Sequence, residues 1–533
     1  MSKQLYANTG KLSRFIIRRD RIRIPVWLIA LTAVTVATAT AFTHLYPTQA
    51  ERQALAGVMT NPAMTAMVGP GYGLDHYTIG AMMAHQMLVF TAVIVGIMNI
   101  LLVTRHTRAD EEQGRIELIR SLPTGRLSHL AAAILVICGV NVLLALMHGL
   151  GLYLLHIESM DLEGSLLYGV ALGAIGMFFA AVTAFFAQLS ESSRGTLGLS
   201  FAALGLAYML RAIGDVSNET LSWLSPLGWV HATEVYVNNV WWPILLMLGT
   251  ALVFAILAFY LHARRDLEAG FLPSKPGRKH ASPFLQTPLG LALRIQRTGM
   301  VAWGIGLFIL GASYGSVLGD TEAFFADNEI LQEFLNPVEG MPLTEQFVAK
   351  LMSVISIFCT IPALMFVFKL KGEEKNNRTE QVLARAVSRT RLLGSYFIIA
   401  FAGGLLMLSL AAAGMGVAAT AAMDSIPFGT FMQAAWVYLP AMWVMIGMAV
   451  LFIGVAPQFS GFTWLYLIYS FVVVYLGGLF QFPDWMVNVT PFSHIPQLPI
   501  EEMAFTPVIM LTVIALVLIA SGFIGYNKRD ITG

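Results

Sequence analysis

The sequence predicts an all-α integral membrane protein of about twelve transmembrane helices, built as a tandem 6+6 repeat with pseudo-two-fold symmetry. Three observations predict it. First, 57% of the 533 residues are hydrophobic and only 12% are charged, about half the charged share of an average soluble domain. With a mean hydropathy of +0.70, too little polar surface remains to coat a soluble globule. Soluble enzymes, disordered chains and secreted disulfide scaffolds are excluded. Second, apolar runs of about 20 residues, the length a helix needs to cross a bilayer, recur along the whole chain. Third, short charged and proline-bearing motifs recur at a spacing of about 265 residues.

The chain opens on a basic amphipathic stretch. Residues 10–23 mix Leu12, Phe15, Ile16 and Ile17 with Arg14, Arg18, Arg19 and Arg21, and read as an elbow helix lying along the inner membrane surface. The first span follows at 24–42. It is long enough to cross, so it reads as a retained span rather than a cleaved signal. Spans at 81–103, 130–155, 165–188, 196–213 and 241–262 complete a first half, 1–262. Residues 263–293 carry Pro273, Pro276, Gly277, Pro283 and Pro288 with Lys275, Arg278 and Lys279, the composition of a cytoplasmic linker. The second half, 294–533, holds spans at 299–317, 347–370, 392–418, 431–455, 462–480 and 506–526. Residues 288–298 read as a weaker second elbow. Cys138 and Cys359 sit inside apolar runs and read as buried free thiols, with no metal site expected.

Orientation follows from Lys and Arg, which concentrate on the cytoplasmic side. With both termini inside, Arg52, Arg211 and Lys350 are the only three of the 32 basic residues placed outside or near the outer end of a span. Carboxylates lean the other way. The segment 318–346 holds Asp320, Glu322, Asp327, Glu329, Glu333, Glu339 and Glu345 and no Lys or Arg. Arg211 is expected to snorkel at the end of its span, and Lys350 to pair with Glu345 or Glu339.

The repeat is read from four matches in the same order. Arg115 to Arg126 aligns with Arg378 to Arg389, each preceded by two acids, Glu111-Glu112 and Glu373-Glu374. Ser225-Pro226-Leu227 aligns with Thr490-Pro491-Phe492, Arg265-Asp266 with Arg529-Asp530, and Arg21 and Trp27 with Arg297 and Trp303. The chain therefore uses one six-span unit twice in the same orientation, with the path expected between the halves.

The segment between the second and third spans, 104–129, carries the most chemistry. Ile116, Leu118, Ile119 and Leu122 give a short helix an apolar stripe. Glu111, Glu112, Arg115, Glu117 and Arg120 cover its remaining faces, and Pro123 and Gly125 stop it. A loop that only anchored its spans would not need Glu and Arg in the same register in both copies. The acid pair, Gly114-Arg115, Glu117-Leu118, Ser121-Leu122-Pro123 and the closing Arg126 resemble the coupling helix of ABC type-2 exporter permeases. Two six-span halves in one chain, with Ser-Pro-Leu-Gly-Trp at 225–229, resemble the group of exporters of polyketide antibiotics. The resemblance covers essentially the whole chain. In the second copy Asn376-Asn377 replaces Gln113-Gly114, and Ala386-Val387-Ser388 replaces Pro-Thr-Gly. That copy is therefore expected to couple more weakly.

The resemblance implies a bacterial plasma-membrane permease that moves hydrophobic or amphipathic, drug-like compounds outward. A separate ABC ATPase, two copies per chain, would use ATP and Mg and engage Glu111, Glu112, Gly114, Arg115, Glu117, Leu118, Pro123 and Arg126. In the second half it would engage Glu373, Glu374, Arg378, Glu380 and Arg389. No catalytic residue and no cofactor of the chain's own is implied. The sequence agrees: it contains no G-x-x-x-x-G-K-[S/T], the loop whose amides cradle nucleotide phosphates.

Polar residues within spans are candidates for a substrate path: His85, Gln86, Asn99, Asn141 and His148. The alternative for each is an interhelical hydrogen bond. Two other functions stay open at this level. An ion-coupled secondary transporter suits twelve spans in two halves, but every Asp and Glu maps to a loop or a span end. A membrane-embedded transferase would need a clustered His/carboxylate site. His231 with Glu234, and His494 with Glu501 and Glu502, are its only hints.

Overall fold

The computed structural model describes residues 5–267, 269–272, 279–320, 342–423, 426–480 and 482–530. Among these no strand occurs, and twelve helices are long and apolar enough to cross a membrane. The chain divides into two compact units, 1–276 and 277–533. The acidic stretch from Glu322 to Glu339, and the linker residues Pro273, Lys275, Pro276, Gly277 and Arg278, lie outside the described residues.

The first unit begins with α1 (Thr9–Arg19) and the spans α2 (Arg23–Leu45) and α5 (Ile79–His106). Short helices α3 (Gln49–Met59) and α4 (Pro62–Val68) lie between those spans. Helices α6 (Arg108–Glu112) and α7 (Arg115–Arg120) follow. The unit is completed by α8 (Ser128–Tyr153), α9 (Leu162–Leu189), α10 (Ser193–Ser217), α11 (Glu219–Trp223), α12 (Pro226–His231) and α13 (Trp242–Arg264). Helix α9 is the centre, packed against α5, α8, α10 and α13. Small residues let it approach closely: a Cβ on Gly169 would meet the Ala145 carbonyl at 2.1 Å. Without a hydrophobic drive between helices in lipid, such contacts supply much of the packing. Apolar side chains of α2 and α13, such as Val34 and Leu252, face outward. The span at 196–213, short and Gly/Ala-rich in the sequence, is a full helix of 25 residues, capped by Ser192.

The second unit holds α14 (Pro288–Val317), α15 (Leu343–Lys375), α16 (Arg378–Leu383), α17 (Arg389–Ala422), α18 (Phe428–Trp436), α19 (Leu439–Val455), α20 (Gly461–Phe480), α21 (Asp484–Val489) and α22 (Phe505–Lys528). Its pairings repeat those of the first unit. Helix α14 packs on α17 as α2 does on α8, and α19 packs on α22 as α9 does on α13. The Ser225 and Thr490 hydroxyls each accept from the backbone N–H two residues on. One expectation fails. Residues 288–298 are not a separate elbow, because α14 runs unbroken from Pro288 through the span. The first unit breaks its chain between α1 and α2 at Asp20, which is fully buried.

Candidate functional site

The basic end of each unit carries the same corner. In the first unit the chain leaves α6 and turns at Gly114, φ 68°, into α7. In the second it leaves α15 and turns at Asn377, φ 57°, into α16. Asn enters the left-handed region more readily than other residues with a Cβ, so replacing Gly114 by Asn377 preserves the turn. The exits match as well. Leu122 N–H donates to Ile119 O at 3.2 Å and Thr124 N–H to Leu122 O at 2.6 Å. Arg385 N–H donates to Val382 O at 3.2 Å and Val387 N–H to Arg385 O at 2.7 Å. Ala-Val-Ser thus makes the bend that Pro-Thr-Gly makes.

Behind each corner stands an ion-pair anchor. Glu111 accepts from Arg265 Nη2 at 2.9 Å and Arg108 Nη1 at 2.8 Å. Arg126 donates to the Arg265 carbonyl at 3.0 Å. In the second unit Glu374 accepts from Arg529 Nη2 at 2.6 Å and Tyr526 Oη at 2.7 Å, and Arg389 donates to the Arg529 carbonyl at 2.6 Å. One residue earlier, Asp110 accepts from Arg115 at 2.8 Å, and Glu373 pairs with Arg378 at 3.3 Å. The geometry therefore aligns Asp110-Glu111 with Glu373-Glu374, one residue off the acid-pair alignment read from the sequence. Glu112 instead caps α10. It accepts from the N–H and hydroxyl of Ser193, at 2.8 and 2.5 Å, at the start of that helix, where a carboxylate complements the helix dipole.

The coupling candidates thus separate into two sets. Glu111, Glu373 and Glu374 are buried, and Arg126 and Arg389 are held on backbone carbonyls, so these shape and brace the corner. Gly114 and Pro123 shape its entry and exit, and Arg115 and Arg378 lean back onto the acids. Glu117, Leu118 and Glu380 face outward. The expected apolar stripe splits: Ile116 packs inward, while Leu118 and Leu122 are 71% and 60% exposed. In the first unit the anchor extends into the elbow. Arg19 Nη1 donates to both Asp110 oxygens at 2.9 Å, and Asp20 takes Arg105 at 3.1 Å and His106 at 2.5 Å. In the second unit Ile295 and Gln296 occupy the places of Arg19 and Asp20. The buried Gln296 amide has no partner among the described residues.

The path candidates are engaged in packing. Asn99 and Asn141 exchange amide hydrogen bonds at 3.1 and 2.7 Å, and each also donates to a carbonyl of its own helix, Val95 O and Ile137 O. All four amide N–H groups are used, and Gly176 of α9 closes over the pair. This is a clasp between α5 and α8, with no donor left for a passing substrate. His148 Nδ1 lies 3.0 Å from Leu144 O and 3.3 Å from Thr32 Oγ1. His85 bonds Tyr77 Oη at 2.8 Å and Gly69 O at 3.1 Å, and Gln86 reaches the same tyrosine.

His85 belongs to a cluster that the sequence alone did not reveal. Arg211 does not snorkel. It is fully buried, pairs with Asp215 at 3.1 Å and donates to Ala66 O and Met67 O. His231 Nε2 bonds Pro70 O at 2.6 Å. Together they pin the segment 66–70 across the far end of the unit. Burial, reinforced by the nearby His85, pushes the His231 imidazole down to about 3, so it stays neutral. The i, i+4 spacing of Arg211 and Asp215 was the available signal. Of the two transferase hints, His231 Nε2 bonds Pro70 O and His494 Nε2 lies 2.8 Å from the Asn488 carbonyl. Lys350 donates to Val474 O at 2.8 Å.

The family model described as multidrug efflux system permease Rv1217c, C-terminal domain, matches residues 13–262 and 285–527, one stretch in each unit. The chain belongs to the Rv1217c family. It is 37% identical to the multidrug efflux system permease protein Rv1217c of Mycobacterium tuberculosis (strain ATCC 25618 / H37Rv), over 99% of this chain and 96% of the relative. Each of the two stretches matched by the Rv1217c family model contains one corner with its anchoring acid, while Arg265 and Arg529 lie just past the ends of the first and second stretch.

Proposed function

We propose that this chain is the permease subunit of an ATP-driven exporter that moves hydrophobic or amphipathic drug-like compounds out of a bacterial cell. Its M. tuberculosis relative is named as a multidrug efflux permease, and this chain takes the same role. The basic ends lie in the cytoplasm with both termini. ATP and Mg are bound by a separate ABC ATPase, two copies per chain, one under each unit. The resemblance to polyketide antibiotic exporters suggests bulky, largely apolar cargo.

One observation carries the reading: two outward-facing short helices on equivalent braced corners. A push on α7 reaches α13 through Glu111 and Arg265, and α1 through Asp110 and Arg19. A push on α16 reaches α22 through Glu374 and Arg529. Each helix is thereby tied to the end of a span, so an ATPase docked there moves spans rather than a slack loop.

The test is co-purification. The chain should bring down an ABC ATPase at one permease to two ATPases. Full transport by the chain alone, in proteoliposomes without ATPase, would contradict the reading.

A further inference from the structure

We propose that the second unit binds an anionic phospholipid in a groove at its basic end, between the segment 281–295 and α16–α17. The groove encloses about 570 Å³, within the roughly 300–1,000 Å³ of ligand pockets. Leu285, Leu291, Val382 and Leu392 supply apolar wall, and Arg378 and Arg385 stand at it. Glu373 also lines it, but this carboxylate already pairs with Lys369 at 3.2 Å and with Arg378 at 3.3 Å. Arg378 and Arg385 against this one paired acid leave the groove net positive.

The first unit shows why the space exists. There the chain fills it: Leu12 and Ile16 of α1 are buried, Arg19 bridges to Asp110, and Gly125 N–H and Leu127 N–H donate to Ala7 O and Leu5 O. In the second unit the helix is continuous, Ile295 replaces Arg19, and no such backbone bonds join 281–284 to 386–391 among the described residues. The vacated space has an apolar wall and a basic rim, the two features the elbow helix satisfied with its own side chains.

Position selects the occupant. Leu392 and Tyr396 line the groove from the first two turns of a spanning helix, while Arg378 and Arg385 lie in the segment before it. The groove therefore straddles the boundary between headgroups and acyl chains. An acyl chain can follow the wall inward while its phosphate meets the arginines, as in basic lipid sites at this depth. A soluble anion would meet only the rim.

The experiment uses the full chain in detergent, delipidated, with native mass spectrometry against phosphatidylglycerol, phosphatidylcholine and inorganic phosphate. Phosphatidylglycerol should be retained several-fold over phosphatidylcholine, and excess phosphate should not displace it. Arg385→Gln should lower retention about fivefold, the scale of one basic residue at a lipid surface. Leu392→Trp, which fills the wall and leaves the charges intact, should abolish preferential retention in protein that stays monodisperse. Equal retention of the two lipids, displacement by phosphate, or unchanged retention in both variants would overturn the proposal. None of these outcomes depends on an ATPase being present.

Discussion

Arg265, at the end of α13, donates to Glu111 of α6 at 2.9 Å across 154 residues of sequence. Both side chains are almost fully buried. Removing Glu111 leaves the buried Arg265 and Arg108 without their shared carboxylate, and breaking a buried pair this way costs about 3–5 kcal/mol. Glu111→Ala should therefore lower the unfolding temperature of the purified chain, and Arg265→Ala should lower it less, because Arg108 still pairs with Glu111. The double variant should lose less than the sum of the two. Additive losses in thermal unfolding would mean that the contact carries no coupling.

The Asn99–Asn141 clasp makes the second prediction. Asn141→Ala leaves the Asn99 Oδ1 and one of its N–H groups without a partner inside the helix bundle and should cost about 0.6–1.7 kcal/mol, the range for interhelical bonds in membrane proteins. Efflux per folded molecule should hold for several chemically different substrates. A change in substrate preference without loss of stability would return these residues to the path.

His231 gives a pH dependence. Its folded pKa is depressed to about 3, against about 6.5 when unfolded. Below 6.5 the unfolded chain takes up a proton that the folded chain refuses, so stability falls as pH falls from about 6.5 toward 3. The slope contributed is at most about 1.4 kcal/mol per pH unit. His231→Gln should flatten the fall in unfolding temperature between pH 6.5 and 4 relative to wild type. Parallel curves would mean that the ring is not held neutral.

The spans were legible because a bilayer imposes length and hydropathy, and each expected run matches a helix or helix pair to within two residues at its ends or lies inside it. The corners were legible as motifs because charge and proline spacing repeat. Their internal roles were not. Nothing local to Glu111 announces Arg265, which arrives from the end of the sixth span. Nothing in the letters Asn376-Asn377 says that Asn377 takes the left-handed turn of Gly114. Arg211 looked like a surface cation near a helix end. Its burial depends on carbonyls of the segment 66–67, brought over it by tertiary folding. The unbroken α14 was hidden because its sequence resembles the elbow, and only the exchange of Arg19 and Asp20 for Ile295 and Gln296 marks the loss of the bend.

The central claim is that α7 and α16 receive the force of an ATPase. Among the described residues neither the Glu117 nor the Glu380 carboxylate joins an ion pair within the chain, and both are exposed. They are therefore available to a partner, and their removal should leave the fold intact. Because the two corners share one backbone geometry, Glu380→Ala should act as strongly as Glu117→Ala, in place of the weaker effect expected from the sequence. The deciding measurement is drug-stimulated ATPase activity and efflux of the reconstituted complex, for each single variant and the double variant at matched expression. Force transmission through these helices predicts a several-fold loss in each single variant, a near-basal rate in the double, and unchanged unfolding temperatures. Wild-type rates in all three would contradict it and leave these helices as anchors of their spans.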